Sequence, residues 1–323
     1  MSEKTFRVLI TGGSGFIGTN LIEYLLNAGY IVMNIDVEPP KKQEHEEFWC
    51  KLSLLDRKEL DKKILQFSPE YVVHLAARTD LSGKTLADYA VNTEGTMNLA
   101  SSLVAVSGLR NVLFTSSMLV CGPGYIPSSQ TDYAPTTVYG ESKMRMEQLL
   151  RQSQLPFRWS IIRPTSIWGP WFGTPYRDFF DRVLRKRMYN IERDLSATKT
   201  YGFVLNAVFQ IEKLLLNDRI YQETFYIGDD PPLNINDWAG YISEKAGLKQ
   251  PVTLPFPILK AAAVLGDLFV MVGIPFPLTS FRLKNMTTNN VLPLDNLVAV
   301  TGSAPYSLAD GVDITLGWIK NNQ

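Results

Sequence analysis

The sequence predicts a doubly wound α/β fold, in which helices cover both faces of a parallel sheet, with a smaller, mostly helical C-terminal lobe. Two observations support this prediction. In the first half, short apolar runs alternate with longer segments that carry apolar residues at helical spacing, which is typical of parallel strands joined by helical crossovers. The strand-like runs are also apolar on both faces, as strands covered by helices on each side must be.

The predicted strands of the first half are Arg7–Thr11, Tyr30–Asp36, Tyr71–Leu75, Asn111–Thr115 and Trp159–Arg163. The predicted helices between them are Phe16–Ala28, Arg57–Phe67, Tyr89–Ser107 and Val138–Arg151. After about Pro164 the alternation ends, and helices are expected at Arg177–Arg187, Ala207–Asn217, Ile235–Ala246 and Ile258–Val272. We therefore expect an N-terminal domain of residues 1–165, to which a segment near 199–216 returns, and a lobe of residues 166–323 over the carboxyl edge of the sheet.

The composition excludes several classes of function. The 323 residues carry 32 basic and 32 acidic side chains, so the chain offers no electrostatic footprint for nucleic acid. Two cysteines, Cys50 and Cys121, do not form a disulfide framework and suggest a reducing compartment, here the cytoplasm. Two histidines, His45 and His74, cannot build a His-rich metal site, so metal catalysis is not expected.

One apolar stretch, Pro257–Leu278, approaches the length of about 20 residues that a membrane helix needs. Lys260 and Asp267, together with glycines and prolines, interrupt it. We therefore favour a buried helix followed by a proline-rich loop over a membrane span.

A glycine-rich turn joins the first strand to the first helix. Gly12, Gly15 and Gly18 follow the apolar run with GxxGxxG spacing. Such glycines allow a tight turn, let a pyrophosphate approach backbone N–H groups at a helix N-terminus, and let helix and strand pack closely. Because the pattern stands between a strand and an amphipathic helix, it indicates a dinucleotide-binding domain rather than a structural turn.

Asp36 stands 18 residues after Gly18, at the end of the second predicted strand. A carboxylate at this place accepts hydrogen bonds from the adenosine ribose hydroxyls and repels a 2′-phosphate, so the sequence favours NAD over NADP. Lys41 and Lys42 lie nearby and leave a phosphate contact open. The simpler alternative for Asp36 is a solvated loop carboxylate.

Tyr139 and Lys143 lie four residues apart at the start of a predicted helix, which places them on one face. An ammonium one turn away and a positive nicotinamide ring would lower the pKa of the tyrosine, so that it could exchange a proton with a substrate oxygen. Ser117 ends a strand 22 residues before Tyr139 and could hydrogen-bond the same oxygen. A serine there also suits a turn or a helix cap.

Six segments in chain order resemble motifs of the extended short-chain dehydrogenase/reductases, particularly the NAD-dependent epimerase/dehydratase group that acts on nucleotide sugars. They are Thr11–Gly18, Val72–Ala77, Val91–Leu99, Thr115–Gly122, Tyr139–Lys143 and Arg163–Pro170. The resemblance covers nearly the whole chain. It implies a Rossmann fold, an NAD cofactor, a catalytic set of Ser117, Tyr139 and Lys143, and a supporting role for Asn92.

The resemblance also implies which residues contact each ligand. The cofactor set is Gly12, Gly15, Phe16, Ile17, Gly18, Asp36, Ser53, Leu54, Leu75, Ala76, Ala77, Asn92, Tyr139, Lys143 and Pro164. The substrate set is Thr79, Ser117, Ser166 and Arg282, of which Arg282 is a candidate diphosphate ligand or, equally, a solvated arginine.

Dimers of the family pack two helices that correspond to residues 89–107 and 138–151, which predicts a homodimer. Core packing explains the apolar residues of those helices, such as Leu99, Met144 and Leu149, equally well.

Departures from the family pattern narrow the expected chemistry. Met118 and Leu119 stand where sugar 4,6-dehydratases of the group carry an Asp-Glu pair. Two apolar side chains cannot supply the acid and the base for water elimination, so a dehydratase is disfavoured. Ser53 stands where the family often has an aspartate that contacts the adenine, and Ser166 stands where it has an asparagine near the substrate. Cys121, for which we expect a packing role, stands in place of the usual tyrosine.

We therefore expect a nucleotide-sugar 4-epimerase or 4-ketoreductase in which Tyr139 takes the proton of the C4 hydroxyl. The alternative enzyme is a hydroxysteroid- or hydroxyketone-type dehydrogenase. Lys199–Asn206 is reminiscent of the 3β-hydroxysteroid dehydrogenase branch. The aromatic residues Trp168, Trp171, Phe172 and Tyr176 would suit an apolar substrate, but they could equally pack the lobe or stack on a nucleobase. A cofactor-binding regulatory protein without turnover is disfavoured, because Tyr139 and Lys143 both remain.

Overall fold

A seven-stranded parallel sheet forms the centre of the protein, of which the computed structural model describes residues 6–274 and 276–322. Its strands are β1 (Arg7–Thr11), β2 (Ile31–Asp36), β3 (Trp49–Lys51), β4 (Tyr71–His74), β5 (Asn111–Thr115), β6 (Trp159–Pro164) and β11 (Thr224–Ile227). Short pairs are formed by β7 (Ser166–Trp168) with β10 (Tyr201–Phe203), β8 (Asn190–Ile191) with β13 (Thr253–Leu254), and β9 (Thr198–Lys199) with β12 (Leu233–Asn234).

The strand order of the sheet is β11-β6-β5-β4-β1-β2-β3. The chain first builds outward from β1 to β3 and then returns to pair β4 with the other side of β1, where Val8 lies between Val32 and Tyr71. The loops that follow β1 and β4 therefore leave in opposite directions. This change of direction is the topological switch point of the sheet. It opens a crevice beyond the carboxyl ends of the strands, where ligands of these sheets bind.

Helices cover both faces of the sheet, which confirms the predicted doubly wound fold. They are α1 (Phe16–Asn27), α2 (Arg57–Phe67), α3 (Thr96–Leu103), α4 (Val138–Gln152), α5 (Tyr176–Leu184), α6 (Val204–Leu215), α7 (Ile235–Lys245), α8 (Phe256–Met271), α9 (Ser280–Thr287), α10 (Asp295–Thr301) and α11 (Leu308–Asn321). Alternate residues of β1 face opposite sides: Val8 and Ile10 pack with α1 and α6, and Leu9 packs with α2, α3 and α4.

Two strands of the sheet, β3 and β11, were not among the predicted ones. Each has only three or four residues, and β11 lies beyond the point where the alternation of strands and helices ends. The predicted helix at 89–107 is also interrupted, because a π-helical turn, Val91–Gly95, precedes α3. Such turns re-aim side chains at functional sites, and this one contains Asn92.

The prediction of a buried helix in the apolar stretch is wrong in one respect. α8 forms as expected, but its buried residues are only Leu259, Ala263 and Gly266. Its outer face is open, and Met271 is 81% exposed. Within 6–274 and 276–322, no helix has the length and hydrophobicity to cross a bilayer. Of the prolines that follow α8, Pro275 lies outside the described residues.

Candidate active site

A cavity of about 640 Å³ lies at the carboxyl edge of the sheet, where the loops after β1, β4, β5 and β6 meet. The structure brings most of the predicted site residues together in its lining. They are Gly12, Gly15, Phe16, Ile17, Gly18, Asp36, Ser53, Leu54, Leu75, Ala76, Ala77, Thr79, Ser117, Tyr139, Lys143 and Pro164. The volume lies within the range of about 300–1,000 Å³ that is usual for ligand and cofactor pockets.

Three predicted site residues do not line this cavity. Asn92 lies buried behind it, where its side chain bonds both backbone groups of Arg78 and donates to Ser142 Oγ at 2.9 Å. It thereby ties the loop after β4 to α4. Ser166 is buried in β7, where its hydroxyl partly offsets the effect of burial that raises the pKa of Tyr176, a lining residue. Arg282 lies exposed on α9 and donates to the carbonyl of Pro277 at 2.8 Å, away from the cavity.

The glycine-rich turn leaves no room for side chains. Gly12 has a φ of +75°, and a Cβ built there would lie 2.5 Å from the backbone nitrogen of Ala76. A Cβ on Gly18 would lie 2.4 Å from the carbonyl oxygen of Gly12. These distances are far below contact, so the turn can hold β1, β4 and α1 this close only with glycine at both positions.

The N-terminus of α1 opens into the cavity without a capping side chain. Gly15 is the N-cap residue and the first turn holds no acidic residue, while Phe16 and Ile17 line the cavity. The first N–H groups of the helix are therefore available to an anion, and the helix dipole favours negative charge there. This arrangement fits the pyrophosphate of a dinucleotide.

Asp36 closes the same end of the cavity. One carboxylate oxygen accepts from Ser14 N at 3.0 Å and the other from Glu38 N at 3.1 Å. Two carboxylate oxygens offer about four acceptor positions, so two remain for ribose hydroxyls. The lysines that left a phosphate contact open are engaged elsewhere, Lys41 with Trp171 O and Lys42 with Glu23. The geometry therefore fits NAD better than NADP.

We expect Asp36→Ala to weaken NAD binding by tenfold or more and to change NADP binding much less. The ribose hydroxyls lose a charged acceptor, and hydrogen bonds to charged groups contribute about 1.5–3 kcal/mol each. Titration calorimetry with both dinucleotides measures the ratio. Asp56→Ala is the control, because that carboxylate caps α2 and does not line the cavity. Equal loss for both dinucleotides would contradict the assignment.

The predicted catalytic residues meet at the other end of the cavity. Ser117 Oγ accepts from Leu119 N at 3.1 Å, so the serine both caps a short helical turn and lines the cavity. Thr137 caps α4 through Gly140 N at 3.0 Å and thus sets where the helix begins. Tyr139 and Lys143 lie on its inner face, and Lys143 Nζ donates to the carbonyl of Thr115 at 2.8 Å.

Burial shifts the pKa of both groups toward their neutral forms. Desolvation raises the pKa of Tyr139 to about 12, although the Ser117 hydroxyl lowers it in part. Desolvation lowers the pKa of Lys143 to about 7, partly offset by the charge of Glu147. In the protein without ligands, burial dominates, and the expected lowering of the tyrosine pKa by the Lys143 ammonium does not occur.

A buried ion pair holds α4 against the sheet. Arg163 of β6 and Glu147 of α4 are 1% and 0% exposed and bond through two N–H···O contacts of 2.8 and 2.7 Å. Tyr133 donates to the same carboxylate at 3.0 Å, and the arginine also donates to Gln130 O at 2.7 Å. Because Glu147 lies one turn after Lys143, the pair fixes the position of α4 on the sheet and with it the position of Lys143.

Sequence reasoning missed part of the cavity wall. Arg78 lines it, paired with Asp80 at 2.7 Å and stacked over the ring of Tyr89. The sequence signal that could have identified Arg78 is its position directly after Ala77, at the end of the Val72–Ala77 motif. Ile167, Phe172 and Tyr176 form an apolar wall of the cavity. Of these three, only Phe172 and Tyr176 were named as candidates from the sequence.

A sequence model of the NAD dependent epimerase/dehydratase family matches residues 8–219. Among curated proteins, the chain is 28% identical to an N-acetyl-alpha-D-glucosaminyl-diphospho-ditrans,octacis-undecaprenol 4-epimerase of Escherichia coli O157:H7, over 96% of this chain and 94% of the relative. It is 29% identical to a 3-beta-hydroxysteroid dehydrogenase of Mycolicibacterium neoaurum, over 76% of this chain and 71% of the relative.

Among solved structures, the UDP-glucose 4-epimerase of Thermotoga maritima with UDP-glucose aligns with a TM-score of 0.75 at 22% identity, over 98% of this chain and 99% of that one. The UDP-glucose 4-epimerase of Thermus thermophilus in complex with NAD aligns with a TM-score of 0.73 at 20% identity, over 98% and 100%. At this identity the likeness establishes the fold. The matched residues 8–219 contain the glycine turn, Asp36 and the Ser117, Tyr139 and Lys143 set, and the chain belongs to the NAD dependent epimerase/dehydratase family.

Proposed function

We propose that this protein is an NAD-dependent 4-epimerase of the extended short-chain dehydrogenase/reductase type that acts on a sugar carried by a diphosphate, in the first place a nucleotide sugar. The observation that carries the proposal is one cavity with an anion-binding helix N-terminus at one end and the Ser117, Tyr139 and Lys143 set at the other. Relatives over most of the chain are named as 4-epimerases, among them a dTDP-L-rhamnose 4-epimerase of Burkholderia thailandensis.

The distribution of charged groups in the cavity favours epimerisation over elimination. Among the described lining residues, the carboxylates are Asp36 and Glu38, and both belong to the glycine-turn end. Met118 and Leu119 follow Ser117 where elimination would need an acid and a base. Tyr139 is then the proton-transfer group at the end of the cavity that holds Ser117 and Lys143. Moving one proton off and onto one hydroxyl oxygen is what a 4-epimerase or 4-ketoreductase requires.

NAD, when bound, supplies the hydride acceptor that takes the hydrogen from C4 of the sugar and the donor that returns it to the opposite face. Tyr139 Oη takes the proton of the C4 hydroxyl and gives it back to the carbonyl oxygen. Ser117 Oγ donates a hydrogen bond to that oxygen and thus holds it beside the tyrosine. Lys143, fixed by its hydrogen bond to the Thr115 carbonyl, would stabilise the phenolate when protonated and would hold the ribose hydroxyls of the cofactor.

The second candidate is a hydroxysteroid-type dehydrogenase. It is favoured by the apolar wall of Ile167, Phe172 and Tyr176 and by the similarity to a 3-beta-hydroxysteroid dehydrogenase. The same catalytic set would oxidise a ring hydroxyl and release the reduced cofactor. Net production of NADH distinguishes this function from an epimerase, which returns the hydride to its substrate.

Three further parts of the proposal concern the whole molecule. Residues 1–165 with the returning α6 and β11 form the cofactor half, and the rest of 166–323 forms the substrate half. The protein works in the cytoplasm as a homodimer through α3 and α4. On those helices Leu99 is fully buried in the monomer core, whereas Leu149 is 37% exposed and available to a partner.

The test is incubation of the protein and NAD with UDP-, GDP- and dTDP-sugars and with a 3β-hydroxysteroid. We expect one sugar nucleotide to equilibrate with its C4 epimer, followed by NMR of the anomeric protons, while absorbance at the NADH band stays flat. Stoichiometric NADH with the steroid alone would replace the proposal by the second candidate. NADH formed with a sugar but without an epimer would make the protein a 4-ketoreductase.

A further inference from the structure

The segment from α8 to the start of α9 presents the most concentrated exposed apolar surface of the described residues. Val264, Leu265 and Leu268 are 51–55% exposed, Met271 81%, Val272 71% and Phe281 70%. We call these six side chains the α8–α9 face. Contiguous apolar surface of this kind on a water-exposed helix marks a binding surface rather than ordinary scatter.

The α8–α9 face is held by a well-packed scaffold. The Leu278 carbonyl lies against Gly266, where an added Cβ would be 1.9 Å from it, and Ser280 N donates to Asp267 at 3.0 Å. Phe269 and Phe276 stack with ring centroids 5.4 Å apart. The apolar side chains are therefore displayed by a fixed helical hairpin, and their exposure is a property of the fold.

Basic residues outnumber acidic ones along the segment that carries the α8–α9 face. Between residues 256 and 288 the chain carries Lys260, Arg282 and Lys284 against Asp267 alone, in a protein of zero net charge. Arg182 of α5 adds a further cation, because it and Arg282 both donate to the carbonyl of Pro277, at 3.2 and 2.8 Å. Burial lowers the pKa of Arg182, and the nearby charge of Arg282 lowers it further. Two guanidinium groups therefore meet at one carbonyl of the hairpin.

We propose that the α8–α9 face docks on an anionic lipid bilayer, with the apolar side chains among the acyl chains and the basic residues at the headgroup phosphates. Interfacial helices bind through buried apolar area together with attraction to anionic lipid. A second copy of the chain fits less well, since a symmetric contact would bring two basic rims together. The protruding Met271, Val272 and Phe281 also suit a fluid phase that needs no matching groove.

Docking there would place one wall of the cavity close to the membrane surface. α5 begins at Tyr176, a lining residue, and reaches the hairpin with Arg182 about 9 Å further along. Beyond α9, Asn290 Nδ2 lies 3.8 Å from the sulfur of Met118, the neighbour of Ser117. The inference does not rest on the proposed function, because vesicle binding is measured without turnover.

The test is sedimentation of the full chain with vesicles of phosphatidylcholine alone or mixed with phosphatidylglycerol. We expect binding to the mixed vesicles that weakens with salt, and a loss of about tenfold or more in Leu268→Glu/Met271→Glu. Lys260→Glu/Lys284→Glu should lose the preference for anionic lipid. The matched control is Leu65→Glu/Ile126→Glu, two apolar residues outside the hairpin that are 50% and 75% exposed, which should bind like the wild type.

Hydrogen exchange of the wild type with and without mixed vesicles keeps the test independent of variant folding, and protection is expected at residues 258–281. Absence of vesicle binding, or equal binding by Leu268→Glu/Met271→Glu, would overturn the proposal. An oligomer that this variant dissociates, without vesicle binding by the wild type, would assign the face to a second copy and overturn it as well.

Discussion

Tyr139→Phe is expected to lower the turnover number by about 10²–10⁴-fold while NAD affinity stays within about twofold. In the proposed mechanism the hydroxyl moves the proton, whereas the ring packs against Tyr89 with 6.1 Å between the ring centroids. Phenylalanine keeps that packing and the shape of the cavity. Epimer formation under saturating substrate, together with calorimetric titration of NAD, separates the two effects.

Tyr176→Phe is the matched control. Tyr176 lines the same cavity, and burial raises the pKa of its hydroxyl to about 12, as for Tyr139, but its partner is Ser166 rather than Ser117. We expect a small change in turnover. A Tyr139→Phe variant as active as the wild type, or a larger loss in Tyr176→Phe, would remove the proton-transfer role from Tyr139.

Glu147→Gln is expected to lower the free energy of unfolding by about 3–5 kcal/mol, since it leaves the Arg163 guanidinium buried without its counter-charge. Burial by itself would lower the pKa of Arg163, but the Glu147 carboxylate raises that pKa above its usual range. The net rise reflects how strongly the two charges interact. Denaturant unfolding of the protein measures the loss. Turnover should fall with it at temperatures well below unfolding, because α4 loses its fixed position.

Two comparisons make that result specific. Glu141→Gln removes a carboxylate from the same helix whose pair with Arg145 is exposed and 3.8 Å long, so its effect should stay near 0.5 kcal/mol or less. Glu147→Leu/Arg163→Met removes both charges and should recover much of the stability lost in Glu147→Gln. Equal effects of Glu147→Gln and Glu141→Gln would show that the buried pair does not support the helix.

The parts of the candidate site whose arrangement follows from the sequence depend on local spacing. Tyr139 and Lys143 share a face because four residues make about one helical turn, and the glycine turn is defined within seven residues, Gly12–Gly18. β11 escaped prediction because its four residues become a strand only by pairing with β6, as Phe225 does with Ile162. Short strands gain their stability from distant partners, which no local pattern displays.

The exposed face of α8 and the position of Arg282 share another cause. The apolar composition of 257–278 indicates a helix but does not say which neighbour covers it. In the fold only a narrow stripe of α8 meets Ile191 and Leu283, and the hairpin carries Arg282 away from the cavity. Both outcomes follow from how the last third of the chain packs, which is decided by contacts distant in sequence.

The place of β11 at the edge of the sheet also decides the order in which the protein can fold during synthesis. β6 ends at Pro164, and its edge partner is completed only at Ile227, about 60 residues later. At roughly 5–20 residues per second the ribosome takes several seconds to supply it. Until then the nascent chain carries an open apolar strand edge, which is prone to pair with other chains. The sheet that carries the cavity is therefore completed by a strand from much later in the chain.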